Sequence, residues 1–160
     1  MSGGGSFDGW YRAQHPRLFV SVLALTGDRE LAADITDEAL ARALQHWRRV
    51  AEMQSPGGWT YRVALNLVRR HLRRARLERH LLSRVLPTRE VAGPAGEVWA
   101  LVRDLPERQR QVTVLRFVAD LTESEIAQVL RISRGTVAST LAAARRTLRE
   151  ELTDDIVQES

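Results

Sequence analysis

Apolar residues recur three to five positions apart along most of the chain: Leu18, Val22 and Leu25, then Leu31, Ile35, Leu40 and Leu44, then Val63, Leu67 and Leu72. This is the repeat of helices with one buried face, and no segment shows the alternation of a half-buried strand. The pattern predicts an all-α protein. Thr26-Gly27-Asp28 reads as a helix end and turn, and Ser55-Pro56-Gly57-Gly58 as a stronger break. Pro16 is expected to kink or interrupt the first helix, because its ring removes a backbone donor and crowds the preceding turn. Between Pro87 and Gly96 lie two Pro and two Gly, a composition that disfavours regular structure. The expected organisation is therefore two small helical domains, residues 7–80 and 97–151, joined by a flexible linker over 81–96 and followed by an acidic tail at 152–160. Each domain is small enough that it must bury its core economically or lean on a partner.

In the second domain, Thr122-Glu123-Ser124-Glu125 has the form of a capping box ahead of Ile126, Val129 and Leu130. Arg131-Ile132-Ser133 makes a tight connection, and Ser133 can cap a second helix running through Val137, Leu141, Ala144 and Leu148. Small Ala127 permits close helix crossing. This is the pattern of a helix-turn-helix, of winged-helix-like type, although an ordinary helical hairpin would share part of it. The outward face of the second helix carries Thr136, Ser139, Ala142, Ala143 and Arg146. In a major groove, Ser and Thr can bond to base edges, Ala can pack on a thymine methyl, and Arg can bind guanine or phosphate.

In the first domain, Trp59 to Arg76 reads as one helix. At 100° per residue, Arg62, Arg69, Arg70, Arg73, Arg74 and Arg76 fall within about 160°, with Trp59 and Asn66 in the same arc. A plain phosphate-binding face needs only arginines. An aromatic ring and an amide among them suit unstacked bases, which stack on rings and bond through their edges. The blander alternative places Trp59 in the core and gives Asn66 a neighbouring backbone partner. Upstream, Asp34, Asp37 and Glu38 form an outward acidic surface, serving either solubility or a basic protein partner.

Charge sharpens this picture. The 160 residues hold 24 basic side chains, all Arg, against 20 acidic ones, for a net +4. That modest total conceals +9 over residues 46–89 and +5 over 108–149, offset by acidic stretches at 28–45, 90–107 and 150–160. Two electropositive surfaces are what a polyanion contacted at two places requires. Absence of Cys removes disulfides, thiol catalysis and thiolate zinc sites. His15, His46, His71 and His80 show no HExxH spacing, and neither a nucleophile elbow nor a phosphate-cradling loop is present. No enzymatic activity, metal, cofactor or small-molecule substrate is expected. The apolar runs are far shorter than the roughly 20 residues needed to span a bilayer, and no secretory leader is read before Phe7. The expectation is a cytoplasmic protein without membrane insertion.

These segments, in this order, resemble bacterial RNA polymerase sigma factors of the extracytoplasmic-function group of the sigma-70 family. Ala33 to Leu40 resembles the family's polymerase-binding segment, Ser55 to Asn66 its minus-10 segment, and Leu105 to Val112 through Ser133 to Val137 its minus-35 reader. The resemblance implies that Asp34, Asp37 and Glu38 dock on the clamp of the largest subunit of core RNA polymerase. It implies that the C-terminal domain engages the flap of the second-largest subunit while reading duplex promoter DNA. Trp59, Arg62, Asn66, Arg69, Arg70 and Arg73 would hold the opened minus-10 strand, with one flipped base in a pocket near the Val50 to Ser55 loop. An anti-sigma factor is a further implied partner. The chain departs from the family at Asp37, where Gln is common, and at Arg131, where Gly is usual. A left-handed residue at Arg131 would cost about 1–2 kcal/mol, so a reshaped turn is expected. Ala138, Thr140, Ala142 and Ala143 stand where basic or hydrogen-bonding side chains are common, leaving Arg134, Thr136, Ser139, Arg145 and Arg146 for minus-35 contact. Two other readings remain: a sigma-like protein with weakened promoter recognition acting through polymerase or an anti-sigma factor, and a stand-alone helix-turn-helix regulator.

Overall fold

The computed structural model describes residues 6–82 and 97–158, and these form eight α-helices with no strand among the described residues. They belong to two units, divided in the stretch between the fourth and fifth helices. Most of the expected linker at 81–96 lies outside the described residues. Among the described residues, no helix is long and apolar enough to cross a membrane.

The first unit holds α1 (Phe7–Thr26), α2 (Arg29–Gln45), α3 (Trp47–Ala51) and α4 (Pro56–Leu82). Of the two outcomes expected at Pro16, a kink or an interruption, the interruption does not occur, and α1 runs through it. Both halves of the helix are anchored. Upstream, Phe7 and Trp10 pack their rings on Trp47 at 5.2 and 4.9 Å; downstream, Leu18, Val22 and Leu23 are buried. Tertiary packing thus outweighs the roughly 3 kcal/mol that an internal Pro costs a helix. Gly27 ends α1 with φ 65°, a left-handed conformation that glycine adopts without a Cβ clash, and its N–H donates to the Leu23 carbonyl. Asp28 then caps α2, accepting from the Leu31 N–H at 3.1 Å.

The large apolar residues of α2 misplace its buried face. The residues that go inside are Ala32, Ile35, Thr36, Ala39, Leu40 and Ala43, so the buried stripe is centred on alanines. Leu31 and Leu44 lie about 110° to either side of that centre. Leu44 is accordingly 55% exposed rather than buried. The small alanines allow α1 to approach α2 closely, since helix spacing depends on the side chains at the contact.

α4 starts where Ser55 Oγ accepts the Gly58 N–H at 3.0 Å, with Pro56 in the first turn, where its missing donor costs nothing. Close by, a Cβ added to Gly57 would come within 3.2 Å of the Gln14 side chain of α1. Tyr61, Leu65 and Val68 turn α4 onto α1 and α2. Burial pushes the Tyr61 phenol above its ordinary pKa, opposed in part by its contact with Ser21 and by the Arg17 charge.

The second unit holds α5 (Glu97–Asp104), α6 (Glu107–Phe117), α7 (Glu123–Leu130) and α8 (Arg134–Gln158). α8 packs against α6 and α7 around Val112, Leu115, Ile126, Val137 and Leu141, all buried. The capping box forms as expected: Thr122 Oγ1 accepts from the Glu125 N–H at 3.2 Å, and the Glu125 carboxylate accepts from the Thr122 N–H at 2.7 Å. The turn is not reshaped. Arg131 itself takes the left-handed conformation, φ 55° and ψ 48°, and the Ile132 N–H closes back on the Ala127 carbonyl at 3.0 Å. The acidic stretch after Arg149 continues α8 as helix to Gln158, with Glu150, Glu151 and Asp154 exposed.

Candidate nucleic-acid and protein interfaces

α4 presents three faces rather than two. Tyr61, Leu65 and Val68 occupy the buried one. Beside it, Trp59, Arg62, Asn66, Arg69 and Arg73 fall within about 80° on the helix wheel. Asn66 and Arg73 are exposed, while Trp59, Arg62 and Arg69 are half-buried. Trp59 lies outside the core, with its ring edge-on to His46 at 6.3 Å and 75°. This stripe combines an aromatic surface, an amide and three guanidinium groups along about 20 Å of helix, from residue 59 to residue 73 at 1.5 Å per residue.

The rest of the arginine arc forms the third face. Arg70, His71 and Arg74, with Leu67 between them, turn toward α2 and line an open cleft of about 250 Å³. The facing wall is Leu31, Asp34, Ile35 and Glu38. Asp34 and Glu38 therefore share a cleft with Arg70, which spacing alone grouped with the strand-binding residues. Glu38 also accepts a hydrogen bond from Arg42 at 2.6 Å, one turn along the same helix. Asp37 points elsewhere: its carboxylate lies 3.7 Å from His15 Nε2 of α1. All three carboxylate residues are exposed.

The loop from Val50 to Ser55 is held by buried Val50, whose carbonyl accepts the Met53 N–H at 3.1 Å. Just upstream, an open cleft of about 420 Å³ lies at the corner between α2 and α3, lined by Leu44 to Arg49. Trp47 in this corner packs on Phe7 and Trp10. The spacing of Phe7, Trp10 and Tyr11 along one helix face was the only sequence signal for that aromatic cluster.

On α8, Thr136, Ser139, Ala142 and Arg146 form one exposed stripe, whereas Ala143 is half-buried. Ser133 caps the helix by accepting the Thr136 N–H at 3.0 Å, and its hydroxyl lies 2.8 Å from that of Thr136. The Ser139 hydroxyl donates to the Thr136 carbonyl at 3.1 Å, which leaves its lone pairs free to accept from a base amino group. Arg134 and Arg145 are exposed but lie off this stripe, roughly 120° round the helix. The Arg145 guanidinium sits 6.0 Å over the ring of Phe117 on α6. Phe117 is 58% exposed, and nothing in the helical periodicity marked it as a surface residue.

Residues 10–78 match the family described as Sigma-70 region 2, and residues 95–148 match Sigma-70, region 4. Two helical units of these kinds, one bearing an arginine, amide and aromatic stripe and the other a capped helix-turn-helix, define a sigma factor; the chain belongs to the sigma-70 family. Within that family it is of the extracytoplasmic-function group. It is 30% identical over 152 residues to an RNA polymerase sigma-E factor of Streptomyces avermitilis, covering 91% of this chain and 84% of the relative. It is 27% identical to the ECF RNA polymerase sigma factor SigW of Bacillus subtilis, covering 81% and 80% of the two chains. In fold it is similar to the sigma factor RpoE of Bartonella quintana, solved in complex with the anti-sigma factor NepR. The TM-score is 0.75 at 17% identity over 92% of this chain and 96% of that one. CnrH, solved in complex with the cytosolic domain of CnrY, gives a TM-score of 0.66 at 20% identity, covering 93% and 88%.

Proposed function

We propose that this chain confers promoter specificity on core RNA polymerase, acting in the cytoplasm and carrying no catalytic group of its own. The observation that carries the reading is the succession of region 2 and region 4 units on one chain, each with a surface suited to a different form of DNA. The α4 stripe of Trp59, Arg62, Asn66, Arg69 and Arg73 captures the opened minus-10 strand. Its guanidinium groups supply sequence-independent, salt-sensitive affinity, and Trp59 and Asn66 address an unstacked base by stacking and edge bonding. The α8 stripe of Thr136, Ser139, Ala142 and Arg146 enters the major groove at the minus-35 element, and Arg134 and Arg145, roughly 120° round the helix, reach for the phosphates. Asp34, Asp37 and Glu38 dock on the clamp of the largest subunit, and the second unit meets the flap of the second-largest. An anti-sigma factor is the further partner.

Joining the two DNA sites in one polymerase-bound chain lets two weak contacts act together through effective concentration. Run-off transcription with purified core enzyme tests the proposal over a library of genomic promoter fragments. Specific initiation dependent on this chain is expected, whereas a chain that leaves core enzyme unbound ends the reading. In the same assay Glu38→Lys should weaken association with core polymerase at least tenfold while helical content stays constant. That is about 1.4 kcal/mol, a modest cost for reversing a charge at a protein interface.

A further inference from the structure

α8 is one helix of 25 residues, and the stripe that carries Thr136, Ser139, Ala142 and Arg146 does not end at Arg146. At about 100° per residue, Glu150 lies between Ser139 and Thr136 on the wheel, and Asp154 falls in line with Thr136. Both are exposed, and among the described residues neither is in an ion pair. Arg146 stands one turn before Glu150, while Arg149 and Arg145 lie about 100° and 140° round from it. The carboxylates do not serve the helix itself. The C-terminal end of a helix favours cations, yet the last turn of α8 holds no basic residue. Solubility would be served by carboxylates on any exposed side, whereas these two stand on the side proposed to meet DNA.

Length along the helix separates the two halves of the stripe. Thr136 to Arg146 spans about 15 Å, comparable to the roughly 12 Å width of a major groove, whereas Glu150 and Asp154 lie about 21 and 27 Å from Thr136. With the first half of the stripe among the bases, the carboxylates come out at the rim of the groove, beside the phosphates. We infer that Glu150 and Asp154 set the specificity of α8 by repulsion, holding the end of the helix off the duplex backbone. The helix then binds with its first half in the groove and not lengthwise along any stretch of DNA. This rests on the proposed placement of α8 in the major groove and adds to it two residues that act against binding. A helix laid along duplex of arbitrary sequence brings both carboxylates against phosphates, and like charges cost affinity there. In the base-reading pose the helix end lifts away, so the cost is smaller. That unequal cost is the discrimination.

The test uses the full chain with Glu150→Gln and Asp154→Asn together, which remove the charges and keep the shapes. Binding is measured at several salt concentrations to a random-sequence duplex and to a promoter duplex of equal length found by run-off transcription. Random-duplex affinity should rise about fivefold or more at low salt, and its slope against log salt should steepen by about 1 to 2, because two charges no longer oppose the phosphate contacts. Promoter affinity should rise no more than about twofold, so the ratio of the two falls. Asp8→Asn with Glu30→Gln, at exposed carboxylates of the first unit, makes the same change in net charge and should leave that ratio unchanged. Circular dichroism and urea unfolding check the fold. Unchanged random-duplex affinity in the α8 variant, or a control that lowers the ratio as much, overturns the inference. Arg146→Ala separates this failure from failure of the α8 reading: if it weakens duplex binding and the carboxylate variant changes nothing, only the repulsion is wrong. If neither alters duplex binding, α8 does not meet DNA through this stripe.

Discussion

Arg131 occupies the left-handed region at φ 55°, at the point where α7 ends and the helix-turn-helix turns its corner. Its side chain is exposed, so nothing in the core requires arginine there. The Cβ of an L-residue in this conformation crowds the following carbonyl, a cost of about 1–2 kcal/mol that glycine escapes. Glycine also adds entropy to the unfolded chain, which returns part of the gain. Arg131→Gly should therefore stabilise the protein by about 0.5–1 kcal/mol in urea unfolding. A loss of stability would mean that the arginine side chain supports the turn. Asp120, the other described non-glycine residue with positive φ, is of a type that tolerates this region, and its carboxylate lies 3.9 Å from Arg116.

At the scale of elements, α7 is only eight residues long, so the start of the helix weighs heavily in whether it forms. Reciprocal bonds between Thr122 and Glu125 satisfy two donors that would otherwise be orphaned. Thr122→Ala should cost about 1 kcal/mol in urea unfolding, and a change below a few tenths would show that packing of Ile126 and Val129 alone holds the helix. α4 is the element on which most of the proposed function rests. Its three faces follow from its 27 residues: a long helix crossing a small unit has one side for the core and two left over. The two differ in what stands opposite them. The Asp34 and Glu38 carboxylates stand opposite Arg70 and Arg74, and so separate them from Arg69 and Arg73.

For the whole molecule, the net charge of +4 is the small remainder of strongly basic and strongly acidic stretches. The stretch of +9 over residues 46–89 includes α4, so binding of single-stranded DNA should fall steeply as salt rises. Each phosphate contact on a single strand contributes about 0.7 to the slope of log affinity against log salt, so removing Arg69 and Arg73 together should flatten that slope by about 1.4. An unchanged slope would place the strand elsewhere.

The sequence by itself determined the helical class, the capping box, the helix-turn-helix and the order of the two matching segments. These depend on local spacing and on bonds between residues three or four apart, which the chain carries wherever it folds. It also placed Trp59, Arg62, Asn66, Arg69 and Arg73 in one arc with Arg70, Arg74 and Arg76, because positions on a wheel need no neighbour. The tertiary structure decided the rest. Pro16 remains inside a helix because aromatic packing and a buried core hold its two halves, and Leu44 is exposed because the face of α2 that packs on α1 is centred on alanines. Arg70 and Arg74 share an open cleft with Asp34 and Glu38 because α2 packs beside α4. Helical periodicity says which residues share a side, but only the packing of helices says what that side meets.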